Sequence, residues 1–425
     1  MAEKKKLLWG YNKLEWSWIM QDWANSAFSL MITTALFPIV YNAVAEAQGV
    51  SEADSTAYLG YANSIATFLV GISAPVLGSM ADYRGFRKPM FTATTLMGII
   101  GVALMAFIPT EVTGSWILLL IVYVIASMGF SASNVFYDAS LTDVTTRQRS
   151  SRVSATGYAM GYIGSSLPFI LYIIALVTID SLPITMDQLI VIGFLGTSIW
   201  WLVFTIPYWR NVHQTHWIEP EAKPIRNSFK RLGKTLSQVK DHKNVFIFLL
   251  AYFVYIDGVG TIIKMATSVG ADLGLGMIEL VIMLLLVQIV AFPFSILYGN
   301  LATKHGEKPI ITVGIITYLI LCIFALFISA PWHFYILGFM VGTAQGGVQS
   351  LSRSLFSKLI PEGENNNQFF GLFNVFGKFS SIIGTTLLGV ITQATGNSLN
   401  GVFSIIALFL VGLILFRFVE VPEEA

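Results

Sequence analysis

The chain has 425 residues, of which 55% are hydrophobic and only 12% are charged, and its mean hydropathy is +0.70. Ordinary soluble domains contain about 25% charged residues, so this composition does not fit a soluble protein. The formal net charge is only +1, and no nucleic-acid motif accompanies the basic residues of the central loop. These properties indicate a protein whose main solvent is the lipid bilayer.

Apolar stretches of membrane-spanning length recur along the whole chain. A helix needs about 20 apolar residues to cross about 30 Å of hydrocarbon. The stretches are continuously apolar rather than alternating, which favours helices over barrel strands. We therefore predict an all-α membrane protein with twelve transmembrane helices, near residues 16–41, 58–80, 90–109, 115–140, 153–178, 188–209, 245–268, 277–300, 310–329, 333–357, 368–394 and 399–418.

Basic residues occupy every second loop between the twelve predicted transmembrane helices. Of the 25 lysines and arginines, Lys264 and Lys378 fall well inside predicted spans, whereas Arg353 and Arg417 lie near the span ends on the same side as the basic loops. The others lie in the N-terminal segment, in alternate connections and at the C-terminal end, whereas the opposite loops carry acidic residues. Because short cytoplasmic loops are rich in lysine and arginine, we predict that both termini are cytoplasmic.

Two similar loops indicate an internal duplication. GSMADYRGFRKP (78–89) and GNLATKHGEKP (299–309) share glycines and an alanine at a constant offset, although Thr303 replaces Asp82 in the second copy. Each loop would follow the second helix of a six-helix half. We therefore predict two pseudo-symmetric bundles as parallel repeats, with boundaries at 1–209 for the N-terminal bundle, 210–243 for a cytoplasmic linker and 244–425 for the C-terminal bundle.

The first loop resembles the loop signature of the major facilitator superfamily, with the pattern Gly-x-x-x-Asp-x-x-Gly-x-Arg-Lys intact as Gly78, Asp82, Gly85, Arg87 and Lys88. A short surface turn is the simpler explanation, but the duplication argues against it. The resemblance narrows to the "unknown major facilitator" group, whose fungal relatives are autophagy-related vacuolar amino-acid effluxers, in five stretches: QDWANSAF (21–28), VSATGYAMGYIGSS (153–166), YIDGVGTIIKMA (255–266), QSLSRSLFSKLIPEG (349–363) and FFGLFNVFGKFSSIIG (369–384).

This resemblance implies a secondary transporter that works by rocking two six-helix bundles around a site near the membrane midplane. It implies an amino-acid-like substrate and export as the direction. Gln21 and Gln368 depart from the residues expected at those positions, so ionisable sites of the family cannot be carried over exactly.

Four polar residues within the C-terminal spans are candidates for a substrate or proton site. Asp257 and Lys264 are seven residues apart, which places them on one face of a helix, and Asp257 lies near the predicted midplane. Lys378 lies inside the eleventh span, with Asn374 one turn earlier. A charge at this depth is costly unless it is paired or solvated, which favours a functional role. A structural ion pair is the alternative. Because glycines follow Asp257, we also expect its helix to be broken or bent there.

A second set of polar residues lies in the first, fourth and tenth spans, nearer to the basic loops. Spacings of three or four residues align them along single helix faces. Pairing of the aspartate of the fourth span with the arginines of the next loop is the alternative to a pathway role. We predict that seven residues line or gate the pathway: Asp22, Asn25, Asn134, Asp138, Gln345, Gln349 and Arg353.

The sequence contains no residue pattern that indicates an enzyme. Cys322 is the single cysteine, and the five histidines lie in loops or at span ends. No nucleophile, base and metal constellation falls within the spans. We therefore expect no enzyme activity, no catalytic residue, no cofactor and no metal site.

The expected partners are a small-molecule substrate, protons and membrane lipids, with no nucleic acid and a monomeric state. An exporter of lipids or amphiphiles is the alternative function, favoured by 31 phenylalanines, and a non-transporting scaffold or receptor is a remote one. The basic stretch 226–240 can form an amphipathic helix on anionic headgroups, or a plain linker. Because long extensions are lacking, we expect a multi-pass protein of a bacterial cytoplasmic membrane.

Overall fold

A computed structural model describes residues 10–221, 224–237, 242–272, 276–328, 330–361, 366–380, 382–395 and 398–421. Within these ranges the chain is almost entirely helical, and its one isolated β-bridge joins Tyr83 to Ile218. The helices before residue 221 are α1 (Lys13–Ala27), α2 (Phe37–Ala47), α3 (Glu52–Ala81), α4 (Arg87–Met105), α5 (Ser115–Ala139), α6 (Leu141–Val144), α7 (Arg147–Val177) and α8 (Met186–Asn211). The later helices are α9 (Pro224–Ser237), α10 (Lys243–Asp272), α11 (Met277–His305), α12 (Glu307–Ala325), α13 (Pro331–Leu359), α14 (Asn366–Phe379), α15 (Ile382–Thr395) and α16 (Ser398–Arg417).

Many of these helices are long and apolar enough to cross a membrane. Among the described residues nine stretches meet this condition: Lys13–Ala47, Asp54–Ala81, Arg87–Met105, Ser115–Val144, Arg147–Val177, Met186–Asn211, Lys243–Ile263, Glu279–His305 and Glu307–Ala325. Helices satisfy all of their internal backbone hydrogen bonds, which lipid cannot satisfy. The prediction of an all-α, multi-pass membrane protein is confirmed.

The first span contains a wider helical turn than the sequence predicted. Between α1 and α2, the stretch Phe28–Leu36 is a π-helix, and the backbone N–H of Phe37 donates to the carbonyl of Ile32 five residues earlier. Pro38 follows directly and has no N–H to donate, which weakens the ordinary helical register at this point. The result is one continuous span from Lys13 to Ala47.

The predicted break at Asp257 is wrong. Helix α10 runs without interruption from Lys243 to Asp272. Gly258 serves close packing instead, since a Cβ atom there would lie 2.8 Å from the ring of Phe409 in α16. The eleventh predicted span is divided instead, because α14 ends at Phe379 and α15 begins at Ile382.

The buried apolar residues divide along the chain. The largest cluster draws on residues 245 to 419, together with Ala139 of α5. A second cluster consists of buried residues between positions 24 and 201, and a third consists of buried residues between positions 11 and 212. Helices α1–α8 and α10–α16 therefore form two groups with their own cores, which we call the N-terminal half and the C-terminal half.

The two halves meet mainly where α7 packs against α11 and where α3 packs against α14. Small residues permit these close approaches, as in other membrane helix pairs. A side chain at Gly78 in α3 would clash with the carbonyl of Asn367 in α14, and one at Gly299 in α11 would clash with Ala155 in α7. Gly78 and Gly299 are equivalent positions of the duplicated loop, so both copies place a glycine at the junction with the other half.

The linker after α8 lies against the loop between α3 and α4. The N–H of Ile218 donates to the carbonyl of Asp82, and the N–H of Arg84 donates to the carbonyl of Ile218, each at 2.9 Å. Helix α9 then packs against α3. We call the end of the molecule that carries this loop, the start of α1 and the linker the basic end.

Candidate gate and substrate site

Arg353 in α13 is the centre of a buried polar cluster that joins the two halves. Its guanidinium donates to the carboxylates of Asp22 in α1 and Asp138 in α5, each at 3.0 Å. It also donates to the hydroxyl and carbonyl oxygens of Ser154 in α7, at 2.9 and 3.1 Å. The Arg353 side chain is 3% exposed and both aspartates are 13% exposed. One cation of the C-terminal half is thus held by two anions of the N-terminal half.

Aromatic rings of the N-terminal half enclose this guanidinium. The ring centroids of Trp18, Tyr137 and Tyr158 lie 4.6, 5.4 and 4.5 Å from the central carbon of Arg353. Gly157 leaves the room that the ion pair needs, since a Cβ atom there would clash with the Asp22 carboxylate. Such an enclosure keeps water away, which strengthens both the cation–π contacts and the ion pairs.

The charges of this cluster do not balance. Two carboxylates face one guanidinium, so the ionised cluster carries one excess negative charge. An uncompensated charge in an apolar interior is costly. The arrangement can therefore accept one further positive charge.

Asp82 of the signature loop forms a second connection between the halves. Its carboxylate accepts hydrogen bonds from the backbone N–H groups of Asn367 at 2.9 Å and Gln368 at 3.1 Å, in the first turn of α14. It also accepts one from the Asn367 side chain at 2.8 Å. Free N–H groups and the helix dipole make a helix start a favourable place for an anion. Asp82 therefore holds the start of α14 against the N-terminal half.

Of the remaining signature residues, Gly85 and Arg87 stabilise the loop itself. Gly85 has a φ of +78°, a left-handed conformation that glycine adopts without strain. The buried Arg87 forms an ion pair with the buried Asp143, which follows α5. Lys88 is exposed at the start of α4.

Glu307, which the sequence analysis did not select, makes the corresponding connection from the C-terminal half. It begins α12 and is 2% exposed. Its carboxylate lies 2.7 Å from Lys358 Nζ and accepts a hydrogen bond from the Ser151 hydroxyl of α7. Thr303, at the position equivalent to Asp82, donates to the Gly299 carbonyl of its own helix. The acid of the second loop is therefore present four residues later than expected.

The other predicted pathway residues lie on the same faces as this cluster. Asn25 of α1 donates to Asn134 of α5 at 2.7 Å, within the N-terminal half. Gln345 and Gln349 are half-buried on α13, two turns and one turn before Arg353, respectively. Their four-residue spacing within the continuous helix α13 aligns them with Arg353 on one stripe, and their pathway role stays a prediction.

The contacts that the structure describes do not bring together all four residues predicted to form the substrate or proton site. Asn374 donates to the Asp138 carboxylate at 3.3 Å and so joins the Arg353 cluster. The ammonium of Lys378 lies 5.8 Å from the ring centroid of Phe130 in α5. The side chain of Lys264 lies outside the described part of the structure, so its predicted position on the same helix face as Asp257 stays a prediction.

Asp257 is fully buried and contacts the start of α15. Its carboxylate accepts a hydrogen bond from the backbone N–H of Gly384 at 2.9 Å. Gly384 is the third residue of α15, so the carboxylate satisfies one of the N–H groups that a helix start leaves without a helical partner. From the start of α10, Asp257 lies about 21 Å along the helix. Asp257 therefore supports the division between α14 and α15 deep within the membrane.

Substitutions at Asp257 distinguish this capping role from a role of its charge. We expect Asp257→Asn to retain most thermal stability, because the amide oxygen can still accept from Gly384. Asp257→Leu leaves a buried N–H unsatisfied, which costs about 1–3 kcal/mol. Thermal unfolding of the purified protein measures the difference. Thr261→Val is the control, since that buried hydroxyl has no hydrogen-bond partner among the residues that the structure describes. Equal destabilisation by asparagine and leucine would show that the negative charge itself is required.

Removal of the Arg353 charge tests the gate. Arg353→Gln leaves two buried carboxylates without their cation, at a cost of about 3–5 kcal/mol, so we expect the basic end to open. Ala139, fully buried in the C-terminal core cluster, provides a reporter as Ala139→Cys in a Cys322→Ala background. Maleimide labelling should rise in Arg353→Gln and fall again when Asp22→Asn and Asp138→Asn are added. Equal labelling of Ala139→Cys with and without Arg353→Gln would refute the role of Arg353 in holding the basic end closed.

Comparison with known proteins identifies the family. The family described as "Vacuole effluxer Atg22 like" matches residues 51–424. The uncharacterised MFS-type transporter YxiO of Bacillus subtilis (strain 168) is 48% identical over 416 residues, which cover 97% of this chain and 96% of YxiO. Autophagy-related protein 22-1 of Penicillium rubens is 30% identical over 67% of this chain and 51% of its own length. The chain thus spans about half of that fungal relative.

Solved structures give the same fold at low sequence identity. The proton:xylose symporter XylE has a TM-score of 0.74 at 13% identity, with 96% of both chains covered. The fucose:proton symporter FucP of E. coli has a TM-score of 0.71 at 15% identity, covering 96% of this chain and 98% of FucP. The structural similarity shows that the chain has the major facilitator fold. The sequence relatives identify the narrower family within that superfamily. The chain belongs to the Atg22-like vacuole effluxer family of the major facilitator superfamily.

Proposed function

We propose that this transporter carries a small polar, amino-acid-like solute by alternating access between its two halves, with export as the direction. The observation that carries the proposal is the Arg353 cluster, in which buried opposite charges lie on different halves. Such a contact is stable while the basic end is closed and must separate when the halves rock apart. A purely structural ion pair has no need to join two separate cores.

The proposal includes the membrane topology. Twelve spans, with the boundaries 1–209, 210–243 and 244–425, place both termini and the basic end in the cytoplasm of a bacterial cell, and the protein acts as a monomer. The lysine and arginine loops support this orientation, and the relative in Bacillus subtilis supports the bacterial membrane. In this orientation the described conformation is closed on the cytoplasmic side.

The substrate site in this proposal lies where α14 gives way to α15. Lys378 is one residue before the end of α14, about 18 Å along that helix, and the residue is half-buried; in this proposal its ammonium binds the substrate carboxylate. Discontinuous helices at the midplane are favourable substrate sites, because their ends present free backbone groups. Asp257 positions the second part of this helix, and Lys264 completes the predicted charged set.

The Arg353 cluster supplies the coupling step. When the basic end opens, the guanidinium withdraws with the C-terminal half, and Asp22 and Asp138 are left together. Two neighbouring carboxylates without their cation favour a proton. Opening and proton uptake are therefore linked in the proposal, which makes protons the coupling ion.

A reversible crosslink tests alternating access. The hydroxyls of Ser150 in α7 and Ser354 in α13 are 2.8 Å apart and bridge the halves. We expect Ser150→Cys with Ser354→Cys, in a Cys322→Ala background, to form a disulfide that abolishes transport until it is reduced. Each single cysteine variant is the matched control. Full transport by the crosslinked protein would refute a moving basic end.

A ligand panel tests the substrate class. Ligands that bind the folded state raise its thermal stability by mass action. We expect a shift with one or more free amino acids and its loss in Lys378→Gln, while the exposed Lys304→Gln keeps it. Uptake by reconstituted vesicles at pH 5.5 and 7.5 then measures transport and coupling. Stabilisation by lipids alone, unchanged in Lys378→Gln, would favour the exporter of amphiphiles instead.

A further inference from the structure

A cleft at the basic end lies outside the gate and the substrate site. It has a volume of about 790 Å³, and its polar wall contains Arg84, Lys88, His213 and Trp217. Arg84 and Lys88 come from the signature loop and the start of α4, whereas His213 and Trp217 come from the linker. All four side chains are exposed, so a ligand can reach them.

Specific contacts hold the linker wall of this cleft in place. Gln214 donates to the carbonyl of Ala81 at 3.0 Å, and Ile218 pairs with the backbone of the signature loop. The N–H of Thr215 donates to the Asp143 carboxylate at 3.0 Å, which also pairs with Arg87. The cleft is therefore an assembled feature of loop and linker, rather than a chance gap between side chains.

The electrostatics of the cleft favour an anion. Arg84 lies over the ring of Trp217, with its central carbon 5.3 Å from the centroid, which orients the guanidinium. Its acidic neighbour is Glu219 at 3.6 Å, with both side chains more than half exposed, and such a pair contributes little. Lys88 adds a second positive charge, and His213 adds a ring nitrogen that can donate a hydrogen bond.

Beyond Lys88, the wall that α4 forms is largely apolar and continues along the membrane face of this helix. Pro89 and Ala93 line the cleft. Ile100 and Leu104, seven and eleven residues after Ala93, point within about 20° of the same direction on a helix. They are 52% and 51% exposed, as expected for side chains that face lipid. A molecule with an anionic head in the cleft could thus lay a hydrocarbon chain along this face.

We propose that this cleft binds the headgroup of an anionic phospholipid, with one acyl chain along α4. The position fits, because the first turns of a membrane helix lie at the level of the headgroups. A free phosphate could bind the same basic residues, but it has no apolar part that would contact the apolar wall. The ligand is therefore a lipid of the bilayer rather than a soluble anion, and this site is independent of the transported substrate.

Binding of lipid to the purified protein tests the proposal. The parent protein and Arg84→Gln with Lys88→Gln are titrated with phosphatidylglycerol and phosphatidylcholine, and bound lipid is counted by native mass spectrometry. Each basic residue near an anionic surface contributes substantially to binding, so we expect the double variant to lose about tenfold or more in phosphatidylglycerol affinity. Phosphatidylcholine should bind both proteins equally weakly.

A matched variant controls for total charge. Lys243→Gln with Lys304→Gln removes two exposed basic residues from the C-terminal half, outside the cleft, and should keep phosphatidylglycerol binding. Thermal stability in phosphatidylcholine verifies that each variant is folded, and glycerol phosphate without acyl chains should give no stabilisation. Equal loss in both double variants would overturn the site in favour of general charge attraction. Stabilisation by glycerol phosphate alone, at the same residues, would overturn the lipid in favour of a soluble anion.

Discussion

One guanidinium shared by two carboxylates is the interaction on which the closed basic end depends. Arg353 reaches Asp22 and Asp138 across the boundary between the halves, in a pocket of aromatic rings where water cannot replace it. Ion pairs in such surroundings are strong when complete and costly when one partner is removed. In the proposed cycle this contact has two well-separated states, closed and paired or open and recharged, which is the property that a gate requires.

The duplicated loops extend this contact into a reciprocal arrangement. Asp82 of the N-terminal half caps α14 of the C-terminal half, and Glu307 of the C-terminal half accepts from Ser151 of α7. Both acids follow a glycine that lets the partner helix approach closely, at Gly78 and Gly299. The symmetry is functional rather than exact, because the second acid comes four residues later and pairs with a lysine. Two related latches can thus differ in strength while closing the same end.

Much of the fold could be predicted from local patterns, whereas the pairing within the site could not. Hydropathy and the duplicated loop predicted helical spans and the superfamily, and four-residue spacing found the stripe that ends at Arg353. The partners of Arg353 are 331 and 215 residues away in sequence, so only the packing of four helices brings them together. The same limit explains the wrong break at Asp257. Gly258 makes room for the ring of Phe409 in α16. The Asp257 carboxylate caps α15, which begins more than a hundred residues later in the sequence.

The distribution of apolar and polar contacts explains how such a molecule can move without unfolding. The apolar clusters lie almost entirely within one half or the other, so separating the halves at the basic end exposes little of either core. What connects them there is mainly polar, including serine pairs such as Ser150 with Ser354, each contributing about 1 kcal/mol. Neutral hydrogen bonds of this kind can be exchanged for water at small cost, whereas the few buried charges cannot. In the proposed transport cycle the barrier to opening therefore rests on the charged residues, and these are the residues on which a proton or a charged substrate would act.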